Sequence, residues 1–362
     1  MNKKDNTTWV SVANDNPKDF LEVEIGDLEQ TKFYPQVKIK RWDNECNYSI
    51  RLLDNEQGKS ILSEIGNKIN WKKGNIEVDF YEIENAFKFD YTIKEKPATN
   101  KLTFSIQSKD VKFLYQPELT EKEKEEGVKR PENVVGSYAV YAETPKTNWT
   151  DGKEYKCGKI GHIYRPKLID SKGKETWADL HIENGRYEVT IPEEFYNNAI
   201  YPIRSNDTFG YIGEGGTGSN ITVNYLLGCL FAGKNGTGNS MSMYCQHFLS
   251  TEGDFKMGLY KESDQSLVGS TAEVHTPSSA DWVTTDFIDS PEVEAVNYYL
   301  SGFIGNAYVL HYFDADGSQY SDGSGTYPTF PNPSDYSFTA SRCVSIYVTY
   351  TSPNSPLPAF KK

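Results

Sequence analysis

Strand-length runs in which apolar and polar residues alternate recur along this chain. The clearest of them occupy residues 36–42, 76–83, 86–93 and 101–106, and Gly, Asn, Lys or Pro separate them. Because successive side chains of a β-strand point to opposite faces of a sheet, the alternation predicts strands with one buried face. Runs this short and this closely spaced favour an antiparallel β-sandwich.

Similar runs continue to the end of the chain. They lie at residues 136–142, 158–165, 176–182, 186–191, 240–249, 255–260, 283–288, 297–304, 307–313 and 343–350. Aromatic residues make up 14% of the chain, with 25 Tyr and 18 Phe, and large rigid side chains of this kind suit sheet faces and contact surfaces. We therefore predict an all-β fold of two or more antiparallel β-sandwich modules, the C-terminal one jelly-roll-like, with one short surface helix.

The predicted helix begins after Thr120. Thr120 and Glu123 have the spacing of a capping box, and the charged run that follows ends near Gly127. This run is polar on every face, which predicts a helix on the surface rather than in the core. Farther along, Pro192 and the residues after it predict a single helical turn.

Changes in composition divide the chain into five segments. They are a polar N-terminal arm at 1–35 with one strand candidate at 21–25, a β-rich anchoring region at 36–205 with a break between two subdomains near 108–135, a Gly-rich linker at 206–218, a jelly-roll-like domain at 219–352, and a Pro-rich tail at 353–362. Whether the arm is ordered by itself or only on docking to another protein stays open.

Charge, hydropathy and cysteine usage restrict the partners and the compartment. The net charge is −13, and residues 206–362 hold 6 Lys and Arg against 16 Asp and Glu, so a nucleic-acid partner is not expected. The polar start predicts no signal peptide, and the lack of a long apolar run predicts no membrane span. Five scattered cysteines without CxxC spacing predict reduced thiols in a protein made in a cytoplasm.

The usual signatures of catalysis are missing from this sequence. Its five histidines show no zinc-site spacing with another His or Cys, and it has no GxSxG, P-loop or dinucleotide fingerprint. We therefore predict no catalytic residues and no metal site. Glycosidases need only a pair of carboxylates, which are too abundant here for the sequence to select one pair.

Residues 314–323 carry three aspartates and a turn glycine, as calcium loops do. The EF-hand pattern fails, because no Glu occupies the twelfth position counted from Asp314 and no helices flank the segment. We predict a solvated loop and no cofactor, with Ca²⁺ bound at 314–322 as the alternative. The expected contact surface is formed by loop aromatics and carboxylates of the C-terminal half: Trp282, Tyr312, Asp314, Asp316, Tyr320, Asp322 and Tyr327.

Residues 113–145, 162–170 and 207–211 resemble a family of proteins from tailed phages and related bacterial genomes. Residues 281–300 and 345–350 resemble the jelly-roll modules often appended to that family, so the similarity covers about two thirds of the chain. The resemblance implies a non-enzymatic structural protein of the virion, made in the host cytoplasm. Such a protein would serve as a capsid decoration, a head fibre or a tail adhesin.

The resemblance also implies its partners, which are other virion proteins and further copies of the chain, with a trimer favoured. Fold alone does not choose among the uses of a jelly roll. A carbohydrate-binding adhesin, stacking host-surface glycans on its aromatic side chains, is therefore the first alternative. A polysaccharide-degrading enzyme is the second.

Overall fold

The computed structural model describes residues 1–351 apart from 54–55, 66–67, 84–85, 151, 206 and 221. Within these residues the chain forms 33 strands and two short helices, and the paired strands are antiparallel. The predicted all-β class is confirmed. The Pro-rich tail at 353–362 lies outside the described residues.

The N-terminal module, residues 1–205, contains both helices. Its strands and helices are β1 (Asn2–Lys3), β2 (Trp9–Asn14), β3 (Leu21–Ile25), β4 (Gln36–Arg41), β5 (Cys46–Leu52), β6 (Ile61–Ile65), β7 (Lys68–Lys73), β8 (Ile76–Ile83), β9 (Ala86–Ile93), β10 (Lys101–Lys109), β11 (Val111–Tyr115), α1 (Glu121–Glu125), β12 (Tyr138–Ala142), β13 (Asn148–Thr150), β14 (Lys153–Tyr155), β15 (Lys159–Ile163), β16 (Lys167–Ile169), β17 (Glu175–Trp177), β18 (Asp179–Glu183), β19 (Arg186–Thr190), α2 (Glu193–Asn198) and β20 (Ile203–Arg204).

The C-terminal module, residues 207–351, consists of strands and their connections. Its strands are β21 (Thr208–Gly210), β22 (Thr217–Asn220), β23 (Tyr225–Ala232), β24 (Gly236–His247), β25 (Asp254–Lys261), β26 (Leu267–Ser270), β27 (Val274–His275), β28 (Asp281–Asp286), β29 (Glu292–Val293), β30 (Asn297–Ile304), β31 (Val309–Ser324), β32 (Ser337–Val344) and β33 (Ile346–Thr351).

Two large sheets build the N-terminal module. One has eight strands in the order β1-β2-β3-β4-β5-β10-β19-β18, and the other has seven in the order β17-β16-β20-β9-β8-β7-β6. A three-stranded sheet of β11, β12 and β15 and the β13–β14 hairpin complete it. The apolar faces of the two large sheets share one core, which includes Phe80 and Phe104.

The C-terminal module is one continuous sheet of 13 strands. It is folded into two layers, because the inward side chains of β23, β25 and β30 meet those of β24 and β33 in one core. Leu227 and Leu259 come from the first layer, and Met243 and Val348 from the second; all four are fully buried. Strand β31 connects the layers, since it pairs with β24 near its start and with β23 near its end.

Residues 1–35 differ from the polar arm that the sequence predicts. The expected strand at Leu21–Ile25 is present, but it pairs with both β2 and β4 inside the eight-stranded sheet. Trp9, Leu21 and Val23 belong to the module's core. The sequence pattern of β2 does not indicate a buried strand, because only part of the strand is buried: Trp9 is buried, whereas Val12 is about half exposed.

Both helical predictions are met by the structure. In α1 the Thr120 amide donates to Glu123 Oε2 at 2.7 Å and the Glu123 amide donates to Thr120 Oγ1 at 3.3 Å, which completes the capping box. None of the residues of α1 is buried. The turn after Pro192 is α2, whose Phe195 enters the core, so the described residues contain one more helix than the single surface helix expected.

Residues 207–218 do not form the flexible linker that the glycine content of 206–218 predicts. Within this segment β21 pairs with β33, and Phe209 and Tyr211 are buried. A Cβ on Gly210, whose φ is +119°, would lie 2.5 Å from the Ile346 carbonyl oxygen, and one on Gly215 would lie 2.4 Å from the Phe313 nitrogen. These glycines are therefore needed for close packing of the backbone rather than for mobility.

Residues 314–323 lie within β31 and do not form a separate loop. The chain bulges between Asp314, which faces Cys343, and Gln319, which faces Ser341. The following segment folds back onto the outer face of the β23–β30–β25 layer, where Tyr336 is buried beside Tyr260. The structure therefore does not show a contact surface that projects at 314–335.

Neither helix of the described chain is long and apolar enough to cross a lipid bilayer.

The burial of Leu21 predicts that the N-terminal strands contribute to the stability of the module. Leu21 is 1% exposed, so Leu21→Ala should lower the free energy of unfolding by about 2–5 kcal/mol through lost burial and a cavity. Leu28→Ala is the control, since Leu28 is 49% exposed and its change should stay within about 0.5 kcal/mol. Urea unfolding measures both. Equal, small effects would mean that residues 1–35 do not belong to the core.

Candidate functional site

One face of the seven-stranded sheet is both polar and buried. Alternate residues of β7 and β9 and the second residue of β20 point away from the module's core. They include Asn70 at 1% exposure and Arg204 at 7% exposure. Their neighbours Ile69 and Ile203 point into the core. Polar side chains at these positions of a sheet normally face water, so another part of the protein must cover them.

The covering surface is the outer face of β24, β28 and β33 in the C-terminal module. Met241 and Val348 point inward, whereas Ser240 and Thr349, which alternate with them, point outward and are each only 1% exposed. Tyr347 shares this outer face and is 3% exposed. We call this contact between two polar sheet faces the seam; it places Lys68, Asn70 and Arg204 against Ser240, Tyr347 and Thr349.

Arg204 makes the central contact of the seam. Its Nη1 donates to the Tyr347 hydroxyl oxygen at 2.7 Å. The guanidinium carbon lies 4.7 Å from the centroid of the Tyr347 ring and 5.3 Å from that of Trp282. A guanidinium is planar and weakly hydrated for an ion, so it suits stacking on aromatic rings in a buried place.

A second ionic contact lies at the edge of the seam. Lys72 Nζ is 3.1 Å from Asp281 Oδ1 of the other module and 3.4 Å from Glu77 Oε1 of its own. These partners raise the pKa of Lys72 against the opposing effect of burial, so the ammonium stays charged. The Asp281 side chain is half exposed, which makes this pair weaker than the Arg204 contact.

Aromatic rings form a second feature, beside the seam. Tyr244 lies 5.4 Å from Trp282 and 5.2 Å from Tyr312 between ring centroids, and all three residues are half-buried. We call Tyr244, Trp282 and Tyr312 the rim cluster. Burial, followed by the nearby carboxylates of Glu214 and Asp281, raises the pKa of Tyr244 to about 12. Aromatic faces can stack on a sugar ring, and neighbouring carboxylate oxygens can accept hydrogen bonds from its hydroxyl groups.

The structure thus brings two of the seven predicted contact residues, Trp282 and Tyr312, into one cluster. Tyr244, which joins them, was missed because it lies within the strand 240–249 and has no distinguishing neighbour in sequence. Arg204 was missed for a similar reason, since its partners Tyr347 and Trp282 are 143 and 78 positions away. No local pattern marks such pairs.

The other predicted contact residues are used within the C-terminal module. Asp314 accepts hydrogen bonds from the Tyr211 hydroxyl and, at 2.9 Å, from the Gly216 amide. Asp322 accepts one from Thr339 Oγ1 at 2.7 Å. These carboxylates bind neighbouring segments of the chain, an arrangement that differs from the ligand shell of a calcium loop. The side chain of Asp316 lies outside the described part of the structure.

Two predicted tyrosines serve mainly in packing. Tyr320 is 4% exposed and its ring lies 5.5 Å from the guanidinium of Arg342. The Tyr327 ring packs 5.2 Å from that of Phe303, and its hydroxyl donates to Glu273 Oε2 at 2.6 Å. Tyr320 is therefore buried, whereas Tyr327 is half-buried but is held by Phe303 and Glu273 rather than by the rim cluster.

One group of potential metal ligands occurs among the described side chains: Glu252, Asp254 and His275. His275 Nδ1 lies 2.8 Å from Asp254 Oδ1 and 3.8 Å from Glu252 Oε1, because Asp254 and His275 are opposite each other on β25 and β27. The sequence-based expectation concerned only other histidines and cysteines, whereas the neighbours of His275 are carboxylates. Its hydrogen bond to Asp254 raises the pKa of His275, and an ion pair accounts for the arrangement as fully as a divalent cation would.

His311 occupies a different environment, in the C-terminal module's interior. It is 1% exposed, and its ring stacks 5.9 Å from that of Phe313. Burial, with a smaller contribution from the positive charge of Arg342, lowers the pKa of His311 to about 4. The folded protein therefore holds this imidazole neutral where an exposed histidine would be protonated.

This difference predicts a pH dependence of stability. Between about pH 6.5 and pH 4 the unfolded chain binds a proton at His311 that the folded chain does not, so stability falls as the pH falls, by roughly 3 kcal/mol in total. His311→Gln should flatten the pH profile of urea unfolding in this window. His181→Gln, at an exposed position, is the control. A His311→Gln profile as steep as that of the wild type would contradict the assignment.

Two comparisons with known proteins found no match. No protein-family model matches the chain. A search of curated proteins gives no match either.

Proposed function

We propose that this chain is a non-enzymatic structural protein of a tailed-phage particle, exposed on the virion as a capsid decoration, a head fibre or a tail adhesin. The resemblance of residues 113–145, 162–170 and 207–211 to such proteins supports the proposal. So does the architecture of two all-β modules in series. Other virion proteins and further copies of this chain, as a trimer, are the proposed partners, and the C-terminal module is proposed to be of the jelly-roll type.

The observation that carries this proposal is that the charged and aromatic side chains described above contact other parts of the same chain. Arg204, Tyr347 and Trp282 join one module to the other, and Asp314 and Asp322 join strands within the second module. Contacts of this kind fix the relative positions of strands and modules. A chain whose charged and aromatic residues maintain the relative position of two sandwiches suits a building part, in which one module anchors and the other projects.

A second candidate function, glycan binding, is favoured by the rim cluster. Tyr244, Trp282 and Tyr312 keep part of their surface accessible, and Glu214 and Asp281 supply carboxylates beside them. This combination suits recognition of a sugar, in which rings stack and acids orient hydroxyls. On a virion it would make the projecting module an adhesin for host-surface glycans.

The third candidate, polysaccharide hydrolysis, requires two carboxylates about 5–10 Å apart around a bound sugar. Glu214 and Asp281 are the acids beside the rim cluster. Incubation of the protein with cell-envelope polysaccharide and measurement of new reducing ends tests for hydrolysis. Product that disappears in Asp281→Asn would replace the structural proposal with an enzymatic one.

The location of the chain in purified particles tests the structural proposal. We expect mass spectrometry of gradient-purified virions to find this protein, and antibody labelling to place it on the outside. We also expect light scattering of the purified chain to give the mass of a trimer. Absence from particles that contain every other structural protein would contradict the proposal.

The adhesin version has its own test in a matched pair of variants. Tyr312→Ala removes one ring of the rim cluster and should abolish or strongly reduce binding on a glycan array, since a stacked ring supplies much of the affinity for a sugar. Tyr308→Ala is the control, because Tyr308 is 39% exposed, lies just before β31, and makes no ring contact with the cluster among the contacts the structure describes. Equal binding by both variants, or no binding by the wild type, would contradict glycan recognition here.

A further inference from the structure

The two modules have separate hydrophobic cores. One core cluster is built from residues between Trp9 and Ile203, and two others from residues between Phe209 and Tyr350. Among the described residues, no core cluster contains side chains of both modules. The hydrophobic effect, which dominates the stability of each sandwich, therefore contributes little to holding the sandwiches together.

The chain crosses between the modules once, over a very short distance. The Ser205 amide still donates to the Tyr91 carbonyl in the N-terminal module, at 3.0 Å. Two residues later the Asp207 carbonyl accepts from the Tyr350 amide in the C-terminal module, also at 3.0 Å. The backbone thus passes from one module to the other between Ser205 and Asp207.

The seam contains buried polar atoms that have no hydrogen-bond partner among the described residues. Four such atoms face it: Asn70 Oδ1, Arg204 Nε, Ser240 Oγ and Thr349 Oγ1. Buried polar groups that lack a protein partner are commonly bridged by ordered water. The clustering of four of them where two sheet faces meet points to water molecules as part of the contact.

Charges of opposite sign face each other across the seam. On the N-terminal side β7 contributes Lys68 and Lys72, β8 Glu77 and Asp79, β9 Lys88 and Asp90, and β20 Arg204. On the C-terminal side β28 contributes Asp281 and Asp286, beside Asp207. Cations outnumber anions on the first face, whereas these three groups of the second are acidic. One further ion pair between the modules has the opposite polarity, with Lys234 Nζ of the C-terminal module 3.3 Å from Glu175 Oε1 of the N-terminal module. Their attraction orients the modules but is weakened by salt.

We propose that the seam is a hydrated, separable joint, at which the two modules change their relative orientation as rigid bodies while both cores stay folded. The closed arrangement is held by the Arg204–Tyr347 hydrogen bond, the stacking on Trp282 and the Lys72–Asp281 ion pair. Opening exchanges protein–protein polar contacts for contacts with water and breaks no hydrophobic core cluster of the described residues. The joint is independent of the virion assignment, because it rests only on contacts between the two modules.

Small-angle X-ray scattering of the full chain tests the joint. In wild-type protein we expect the radius of gyration and the maximum dimension to increase between low salt and about 1 M salt, where the Debye length is about 3 Å. In the double variant Tyr347→Phe/Lys72→Met the same increase should occur already at low salt, since the variant loses the acceptor of Arg204 and the ion pair but keeps the aromatic ring.

The matched control is Tyr48→Phe/Lys101→Met. It removes a buried tyrosine hydroxyl and the exposed Lys101–Glu188 pair, both in the N-terminal module and away from the seam, and should scatter like the wild type. Calorimetry distinguishes opening from unfolding: a separable joint predicts two unfolding transitions, with both retained in the seam variant. Scattering that does not change with salt, or a single cooperative transition in wild-type protein, overturns the proposal.

Discussion

The contact of Arg204 with Tyr347 and Trp282 determines how the two halves of this molecule are arranged. A buried guanidinium needs both an acceptor for its N–H groups and a surface that tolerates its charge, and here one tyrosine and one tryptophan of the other module provide them. Because the two cores are separate, this polar contact takes the place that an apolar interface has in many two-module proteins.

The structure also gives a different role to the residues that the sequence predicts as a contact surface. The Trp282 ring packs against the Arg204 guanidinium. Asp314 of β31 accepts hydrogen bonds from Tyr211 and Gly216. What remains accessible is the rim cluster beside the seam. Most of these side chains hold the fold together, and the rim cluster keeps part of its aromatic surface accessible.

Parts of the fold were predictable because their physical cause is local. The strands at 76–83 and 86–93 follow from alternation, and α1 follows from the capping box at Thr120. Prediction failed where the cause is distant in sequence. Gly210 and Gly215 looked like linker residues, but they are required by the close approach of Ile346 and Phe313, and residues 314–323 looked like a loop although β23 and β32 flank them.

The candidate site shows the same division. The sequence by itself determined that this is an all-β chain with strongly alternating strands, because the period of two is a property of each strand's backbone. It also presented Asn70, Arg204, Ser240 and Thr349 as ordinary polar positions. Only the tertiary structure decided that two polar faces would meet and bury one another, since burial depends on which surface a sheet encounters, and that surface belongs to residues far away in the chain.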